Sequence, residues 1–488
     1  MKLFRVLSSA IIIVGLVVLV PSCAVNPVTG KKQLMFMSEQ QEIAMGRDYD
    51  PQVIASFGLY ENEILLKLIT EKADEMGKIS HRPQLQYHMR ILDSPVINAF
   101  AVPGGYIYLT RGILAHFNSE AELMGVLAHE MGHITARHTV SSQAKQTVAQ
   151  IALIGGLMIS EDFAQFANEA MQGMQLLFLK FSRDNEREAD RLGVEYSTRL
   201  GYDAHKMAEF FNVLNKMQLE SDHAGIPTFM STHPDPGDRY NTVNQLSGEW
   251  QDSLKLASYT VNTDGYLQMI DGLVFGEDPR QGYVEGNTFY HPEMKFMYPI
   301  PSGWKLVNSP MQVQMVSSDQ KAIMVFSLAQ QKTLEEAAQA TIEGLKLEVV
   351  NNRKASVNGL PAIIVDSKQT SQDQQTGQTN SIKVISYFIQ YNNAIYVFHG
   401  VSSEADFNAN MQNFEMTMGN FNKLTNPSKI NVKPKKITVK KVWRSGTLSD
   451  AFRYFGVKQA EMKDLALLNN MELTDRVENG KLIKIIGD

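Results

Sequence analysis

Apolar positions recur at helical spacing in one decisive segment. Leu123, Val126 and Leu127 form a buried stripe, and Ser119 with Glu122 three residues on reads as the capping box that opens it. The pattern predicts a helix through the segment that follows. Ahead of it, Ser38 with Gln41 caps another helix, and residues 85–92 and 97–109 read as strands, the second broken at Pro103-Gly104-Gly105. Behind it, a charged helix holding Glu186 and Asp190 ends near Gly201, another begins at Asp203, and this mainly helical unit closes near Trp250. The texture then changes. Residues 266–274 read as helix, and alternating strands are predicted at about 311–317, 321–328, 347–354, 361–366, 381–390 and 394–400, the last two joined at Asn392-Asn393. Thr333 with Glu336 caps a helix to about Leu345, and a last helix covers about 404–418. Antiparallel strands flanked by helices predict an α+β arrangement.

Composition narrows the class without fixing it. Of 488 residues, 44% are hydrophobic and 20% charged, values ordinary for folded domains, and the length suggests about three of them. The net charge of -6 argues against nucleic acid as a partner, because an acidic chain gains little from counterion release on a phosphate backbone. Lys2 and Arg5, an apolar run from Ala10 to Val20, and Pro21-Ser22-Cys23 read as a secretory signal over residues 1–22. Cys23 is the one cysteine, which excludes a disulfide within the chain. The run Ile151 to Ile159 is too short to span a bilayer. It reads as a buried element, or as a mobile flap with Met171 and Met174 as adaptable apolar surface.

The chemistry lies in His129-Glu130-Met131-Gly132-His133. Two histidines four residues apart project from one helix face and can reach one tetrahedral Zn²⁺, while the adjacent glutamate stands beside the water to be activated. The alternative is a helix with two histidines on a solvated face. A third histidine in the metzincin register is missing, since Ala136 and Thr139 hold those positions and His138 is one residue off. A downstream carboxylate completes a His₂Glu set instead. Glu186 and Asp190, at i and i+4, place one carboxylate to bind metal and another to accept a hydrogen bond from a ligand imidazole.

With these residues in hand, the chain resembles the HtpX and CAAX-prenyl-protease type of gluzincin metallopeptidase, and within it the periplasmic lipoprotein branch of BepA- and LoiP-like proteins. The matching pieces are Asn98 to Gly105, the helix from Ala128 to His138, the Glu186 to Asp190 segment, and Ser231-Thr232-His233-Pro234-Asp235-Pro236. The resemblance implies a zinc endopeptidase with one Zn²⁺ per chain, His129, His133 and Glu186 as ligands and Glu130 as general base. Cys23 resembles the lipidated residue of a bacterial lipoprotein. Ala24 after it implies sorting to the outer membrane, with the protein facing the periplasm. The strand Asn98-Ala99-Phe100-Ala101 is expected to hold an extended peptide by edge pairing, its alternative being an interior strand of the sheet. His233, placed in a loop by Pro234, is expected to act as a gate. It either fills the fourth metal position or swings away to donate to the oxyanion, with Arg239 adding positive charge nearby. The alternative is a surface loop histidine.

The expected layout is a signal peptide over 1–22, a mainly helical peptidase domain with a small sheet over 23–250, and an antiparallel α+β domain over 255–424 that resembles PsbP/Mog-type domains. A basic linker over 425–436 leads to a LysM-like βααβ module over 437–488. Ser445 to Leu448, Tyr454 to Val457, Leu465 to Asn469 and Glu478 to Ile483 carry that last resemblance. Gly446 and Ser449 depart from its usual acidic and aromatic positions, so the fold is implied more strongly than binding of peptidoglycan glycan. The reading is cleavage of unfolded or misassembled envelope proteins by a membrane-anchored enzyme. Two rivals are an idle lipoprotein acting as a chaperone and a cell-wall-binding structural protein.

Overall fold

The protein is described by a computed structural model covering residues 23–34, 37–140, 181–220, 229, 232–233, 236–372 and 379–487. The expected signal peptide, the Ile151 to Ile159 run with Met171 and Met174, and Ser231, Pro234 and Asp235 lie outside the described residues. Among the described residues no helix is long and apolar enough to cross a membrane.

The chain enters through a ribbon of β1 (Cys23–Val25) and β2 (Lys32–Leu34). Asn26 closes its turn by accepting the amides of Val28 at 2.7 Å and Thr29 at 3.1 Å. Helix α1 (Glu39–Phe57) starts at the reciprocal Ser38–Gln41 cap, and α2 (Glu63–Ile79) follows. A three-stranded sheet comes next, with β3 (His88–Leu92), β4 (Ala99–Val102) and β5 (Tyr106–Thr110) in the order β3-β5-β4. Among the described residues β4 therefore lies at an edge. The break at Pro103–Gly105 is a tight turn in which Gly105 has φ 95°, and a Cβ there would fall 2.1 Å from the Gln86 carbonyl oxygen.

After α3 (Arg111–His116) comes α4 (Glu120–Thr135), the helix of the histidine pair. Ser119 caps it by accepting the Glu122 amide at 3.2 Å, but the Glu122 carboxylate accepts from the Asn118 amide at 2.7 Å, one residue before the predicted box partner. The helix stops three residues short of His138, the end that the resemblance implies, because Arg137 adopts a left-handed φ of 58° and turns the chain back. Helices α5 (Arg183–Arg199), α6 (His205–Glu220) and α7 (Pro236–Leu254) complete this unit. Two glycines let α4 and α5 approach closely. A Cβ on Gly132 would lie 3.2 Å from the Ala189 backbone, and one on Gly193 would lie 3.2 Å from the His129 backbone. That approach brings the first turn of α5 level with the histidines.

Helix α8 (Thr263–Ile270) leads to a second body. There β6 (Tyr283–Glu285), β7 (Thr288–His291) and β8 (Phe296–Pro299) make a small antiparallel sheet. Beside it stands a seven-stranded antiparallel sheet. Its strands are β9 (Lys305–Asn308), β10 (Gln312–Val316), β11 (Ala322–Leu328), β12 (Glu348–Val357), β13 (Leu360–Gln372), β14 (Thr379–Tyr391) and β15 (Ala394–Ser403). They run in the order β12-β13-β14-β15-β11-β10-β9. Helices α9 (Leu334–Gly344) and α10 (Phe407–Met418) cover opposite faces, α9 through Leu334 and Ala337 against Phe388, α10 through Phe414 against Phe398. Strand β13 runs well past its predicted end at 366, because polar residues such as Lys368 and Gln369 continue the ladder with β14.

The carboxy-terminal segment forms β16 (Asn422–Lys423), β17 (Lys436–Lys441), β18 (Gly446–Thr447), α11 (Leu448–Tyr454), α12 (Met462–Leu468), β19 (Arg476–Val477) and β20 (Leu482–Gly487). β17 and β20 pair antiparallel around the two helices. This unit does not stand apart. Ile437, Phe452, Leu465 and Ile483 share one continuous apolar core with Phe117, Phe210 and Tyr266 of the helical unit. The backbone of Gly272, Leu273 and Phe275 bonds to Lys435 and Ile437, so the end of the expected linker is itself an ordered pairing. The protein is mixed α/β and multidomain.

Candidate metal centre

His129 and His133 stand on successive turns of α4, fully buried, with their Nε2 atoms 3.1 Å apart. Glu186 enters from the first turn of α5, its carboxylate oxygens each 3.5 Å from one of those Nε2 atoms. His233 is not a surface residue. It is 1% exposed and closes a helical turn, its amide donating to the Phe229 carbonyl at 2.8 Å. Its Nδ1 lies 3.0 and 3.1 Å from the Glu186 oxygens and 3.3 Å from His129 Nε2. One donor atom from each of these four residues lies within 4.8 Å of the other three. Three imidazoles and a carboxylate in a closed, aromatic-walled cavity fit Zn²⁺. Phe181 stacks on His133 at 4.0 Å and Phe229 on His233 at 4.5 Å. Both Glu130 oxygens and His233 Nε2 are buried there without a hydrogen-bond partner, 3.6 Å separating Glu130 Oε1 from that nitrogen.

The groups behind the donors fix which nitrogen faces the centre. His129 Nδ1 donates to Asp190 Oδ1 at 2.9 Å, leaving its Nε2 lone pair inward. His133 uses a longer relay. Its Nδ1 lies 3.0 Å from His138 Nδ1, and His138 Nε2 lies 3.0 Å from Glu188 Oε2. With Glu188 ionised, His138 donates through Nε2 and accepts through Nδ1, so His133 Nδ1 carries the proton and its Nε2 is free. The sequence analysis met His138 only as a histidine out of register and gave no part to Glu188. The signal was only a histidine five residues after His133, and the left-handed turn at Arg137 that delivers it leaves no mark in the pattern.

Arg239 brings positive charge beside the cluster, as expected, and spends it on carboxylates. Its guanidinium forks onto Asp190, with Nε to Oδ2 at 2.8 Å and Nη2 to Oδ1 at 2.7 Å, and Nη1 lies 3.2 Å from Glu186 Oε2. It also lies over the Phe211 ring at 3.9 Å. Its charge is therefore engaged by the carboxylates behind the centre instead of facing an oxyanion position. The reason is electrostatic: two buried carboxylates need a buried cation.

Electrostatics follow from burial and these pairings. Burial drives His133 well below its ordinary value, aided by its histidine neighbours, so it is neutral, the form that binds metal. Burial also raises Glu130, though His233 and His129 oppose it. For Glu186 burial is outweighed by His233 and Arg239, which hold it below the usual carboxylate range. Asp190 falls to about 2 because Arg239 and His129 outweigh its burial. His233 is raised against its burial by Glu186 and Glu130.

Ala99, Phe100 and Ala101 lie in the edge strand with Asn98 just before it, and all four are buried. Thr139 Oγ1 donates to the Ala101 carbonyl at 3.4 Å, and the Phe229 amide to the Ile97 carbonyl at 3.0 Å, so the chain itself occupies part of this edge. Cys23 opens β1, away from this cluster in sequence and element.

Residues 65–247 match peptidase family M48. The chain is 29% identical over 241 residues to the beta-barrel assembly-enhancing protease of Yersinia pestis, covering 47% of this chain and 49% of that protein. It is 32% identical over 173 residues to the mitochondrial metalloendopeptidase OMA1 of Arabidopsis thaliana, covering 34% of this chain and 33% of that protein. The chain thus spans about half the length of the first of these relatives and a third of the second. Among solved structures, cyanobacterial PsbP of Synechocystis matches with a TM-score of 0.24 and 11% identity, over 29% of this chain and 96% of that one. The matched family covers the described donors and their supports together, and it is a family of peptidases.

Proposed function

We propose that this chain is a zinc metalloendopeptidase of the bacterial cell envelope that cleaves unfolded or misassembled envelope proteins. The observation that carries the reading is the convergence of four buried donors beside an unpartnered Glu130 within the segment that matches a peptidase family. His129, His133 and Glu186 would hold one Zn²⁺. When bound, the ion polarises the scissile carbonyl and makes water a nucleophile near neutral pH.

The residues of the chain then divide the work. Glu130, raised by burial, takes a proton from the attacking water and returns it to the departing amine. Asp190 and the His138–Glu188 relay hold the ligand imidazoles in one tautomer. Arg239 acts as a positioning residue that holds Asp190 and Glu186. A substrate strand would add to the β4 edge at Asn98 to Ala101, which depends on main-chain bonds and tolerates many sequences. In the arrangement seen, Thr139 and Phe229 use that edge and His233 stands at the fourth donor position. That combination supports a resting enzyme whose gate is His233.

Location and partners complete the proposal. Cys23 would carry the lipid anchor after removal of residues 1–22, placing residues 23–250 as the peptidase at the outer membrane, with 255–424 as a protein-contact domain. The β17 to β20 module over 437–488, with its βααβ order, supports a LysM-like fold, and peptidoglycan is a candidate partner for it. Zinc content and casein cleavage, compared between wild type and Glu130→Gln, test the central reading. Equal cleavage by both proteins would end it. Loss of palmitate labelling in Cys23→Ser tests the anchor.

A further inference from the structure

The ligand relay does not stop at Glu188. Asn26, fully buried in the amino-terminal ribbon, presents its amide to the Glu188 carboxylate. Asn26 Nδ2 and Glu188 Oε1 are both buried, and neither has a partner within full hydrogen-bond distance. Each is thus the group that can satisfy the other. Asn26 is itself held rigidly. Its Oδ1 accepts from Val28 and Thr29, its amide donates to the Lys31 carbonyl at 2.9 Å, and its carbonyl accepts from the Gly30 amide at 2.9 Å.

A second latch joins the same two regions. Arg137, which turns the chain towards His138, donates to Glu42 at 2.8 Å and to the Met37 carbonyl at 2.9 Å. Arg82 pairs with the same Glu42 at 2.8 Å and caps the Ile134 carbonyl, at the end of α4, at 3.1 Å. The residues that bring His138 to His133 are therefore gripped from the amino-terminal side at two points.

We propose that the amino-terminal ribbon is a working part of the metal centre, with Asn26 a positioning residue that orients His133 through Glu188 and His138. The inference rests on the zinc reading above. Glu188 can hold the outer proton of His138 only while its carboxylate is aimed at Nε2, and Asn26 is the group that aims it from behind. Because Asn26 stands three residues after Cys23, the way the amino terminus is held bears directly on a metal ligand.

The test uses the full chain carrying Asn26→Asp, Glu188→Gln, and both. Aspartate keeps the acceptor that closes the Val28–Thr29 turn but replaces the donating amide with a second carboxylate, so the ribbon is preserved while the link to Glu188 is broken. Two readouts report on the centre without activity: release of zinc to a chromophoric chelator, and visible absorption of the cobalt-substituted protein. Asn26→Asp is expected to speed zinc release by roughly 3–10-fold and to shift the cobalt bands, a smaller effect than the 10–100-fold typical of a group touching a ligand directly. In the Glu188→Gln background it should add nothing further. Wild-type release and spectrum in Asn26→Asp, or effects that simply multiply in the double variant, would overturn the inference. A wild type that takes up neither zinc nor cobalt would instead remove the metallopeptidase reading itself.

Discussion

Arg239 and Asp190 form a fully buried bidentate pair, both carboxylate oxygens receiving guanidinium N–H bonds at 2.7 and 2.8 Å. The pair joins α7 to α5 immediately behind the donors, and His129 shares the same Asp190 oxygen at 2.9 Å. Removing the cation would leave Asp190 and Glu186 as neighbouring buried charges. Arg239→Gln is therefore expected to cost about 3–5 kcal/mol of stability and to weaken zinc about 10–100-fold. Arg239→Lys should rescue little, since an ammonium cannot make the fork. Chemical denaturation and zinc competition measure both. Wild-type zinc affinity in Arg239→Gln would contradict this account.

Glu130 and Glu186 are both buried beside the histidines, yet they should fail differently. Glu186→Gln removes a donor and should strip the metal. Glu130→Gln should keep metal at one ion per chain and lose about 10²–10⁴-fold in cleavage, the usual range for a missing general base. Metal analysis beside a casein assay separates the two. Full metal occupancy in Glu186→Gln would mean that another group, such as His138 or Glu188, is the ligand.

What the sequence could and could not reveal follows from how each feature is encoded. The α4 cap at Ser119, the i, i+4 histidines and the Glu186–Asp190 face are local periodicities and could be read directly. His138 could not, because its role depends on one left-handed residue, Arg137, and on a partner on another helix. Arg239 was read as positive charge near the site, but its fork onto Asp190 was not legible, since sequence does not say which carboxylate a cation will meet. Lys484 carried no signal in the sequence, yet its ammonium is buried against the Ala115 carbonyl of another unit. The extra length of β13 was hidden by polar residues that break the apolar alternation while still pairing.

Lys484 gives a test of that packing. Its Nζ donates to the carbonyls of Ala115 at 2.9 Å and Phe117 at 3.0 Å, at the end of α3. Burial pushes the ammonium down, and Glu122 on α4 supports it electrostatically. Lys484→Ala would leave two buried carbonyls without their donor, at about 2–4 kcal/mol. The loss should appear as one cooperative transition shifted down in temperature, because the carboxy-terminal unit shares the core of the helical unit. A calorimetric scan in which only a small separate transition moves would show the two to be independent.

Acid should destabilise the protein through buried neutral histidines. Burial pushes His116 and His399 down to about 4, from an ordinary value of 6.5. Between those limits the unfolded chain binds the extra protons, so stability is present above about pH 6.5 and lost as pH falls towards 4. Each group contributes up to about 3 kcal/mol across that window. His399 accepts from or donates to Ser386 Oγ at 2.8 Å, so His399→Gln can keep that bond while removing the titration. Melting temperatures between pH 7 and 4.5 should fall less steeply in His399→Gln. An unchanged slope would show that other groups dominate.

The proposed gate, His233, stands among the donors. Its Nδ1 occupies the position of a fourth donor, and its Nε2 faces Glu130 Oε1 at 3.6 Å, so one ring stands against both the metal position and the base. Phe229 stacks on it, and the Phe229 amide is tied to Ile97 beside the edge strand. A peptide pairing with β4 would compete for that tie, and moving Phe229 would move His233 with it. Substrate entry and unblocking are then one event. His233→Ala should keep zinc, because His129, His133 and Glu186 remain. It should also raise casein cleavage and self-cleavage, by roughly 10-fold if the closed arrangement is favoured by about 1.4 kcal/mol. A fall in cleavage at full zinc content would assign His233 to oxyanion stabilisation instead. Wild-type rates on several substrates would leave it with no part in gating or chemistry.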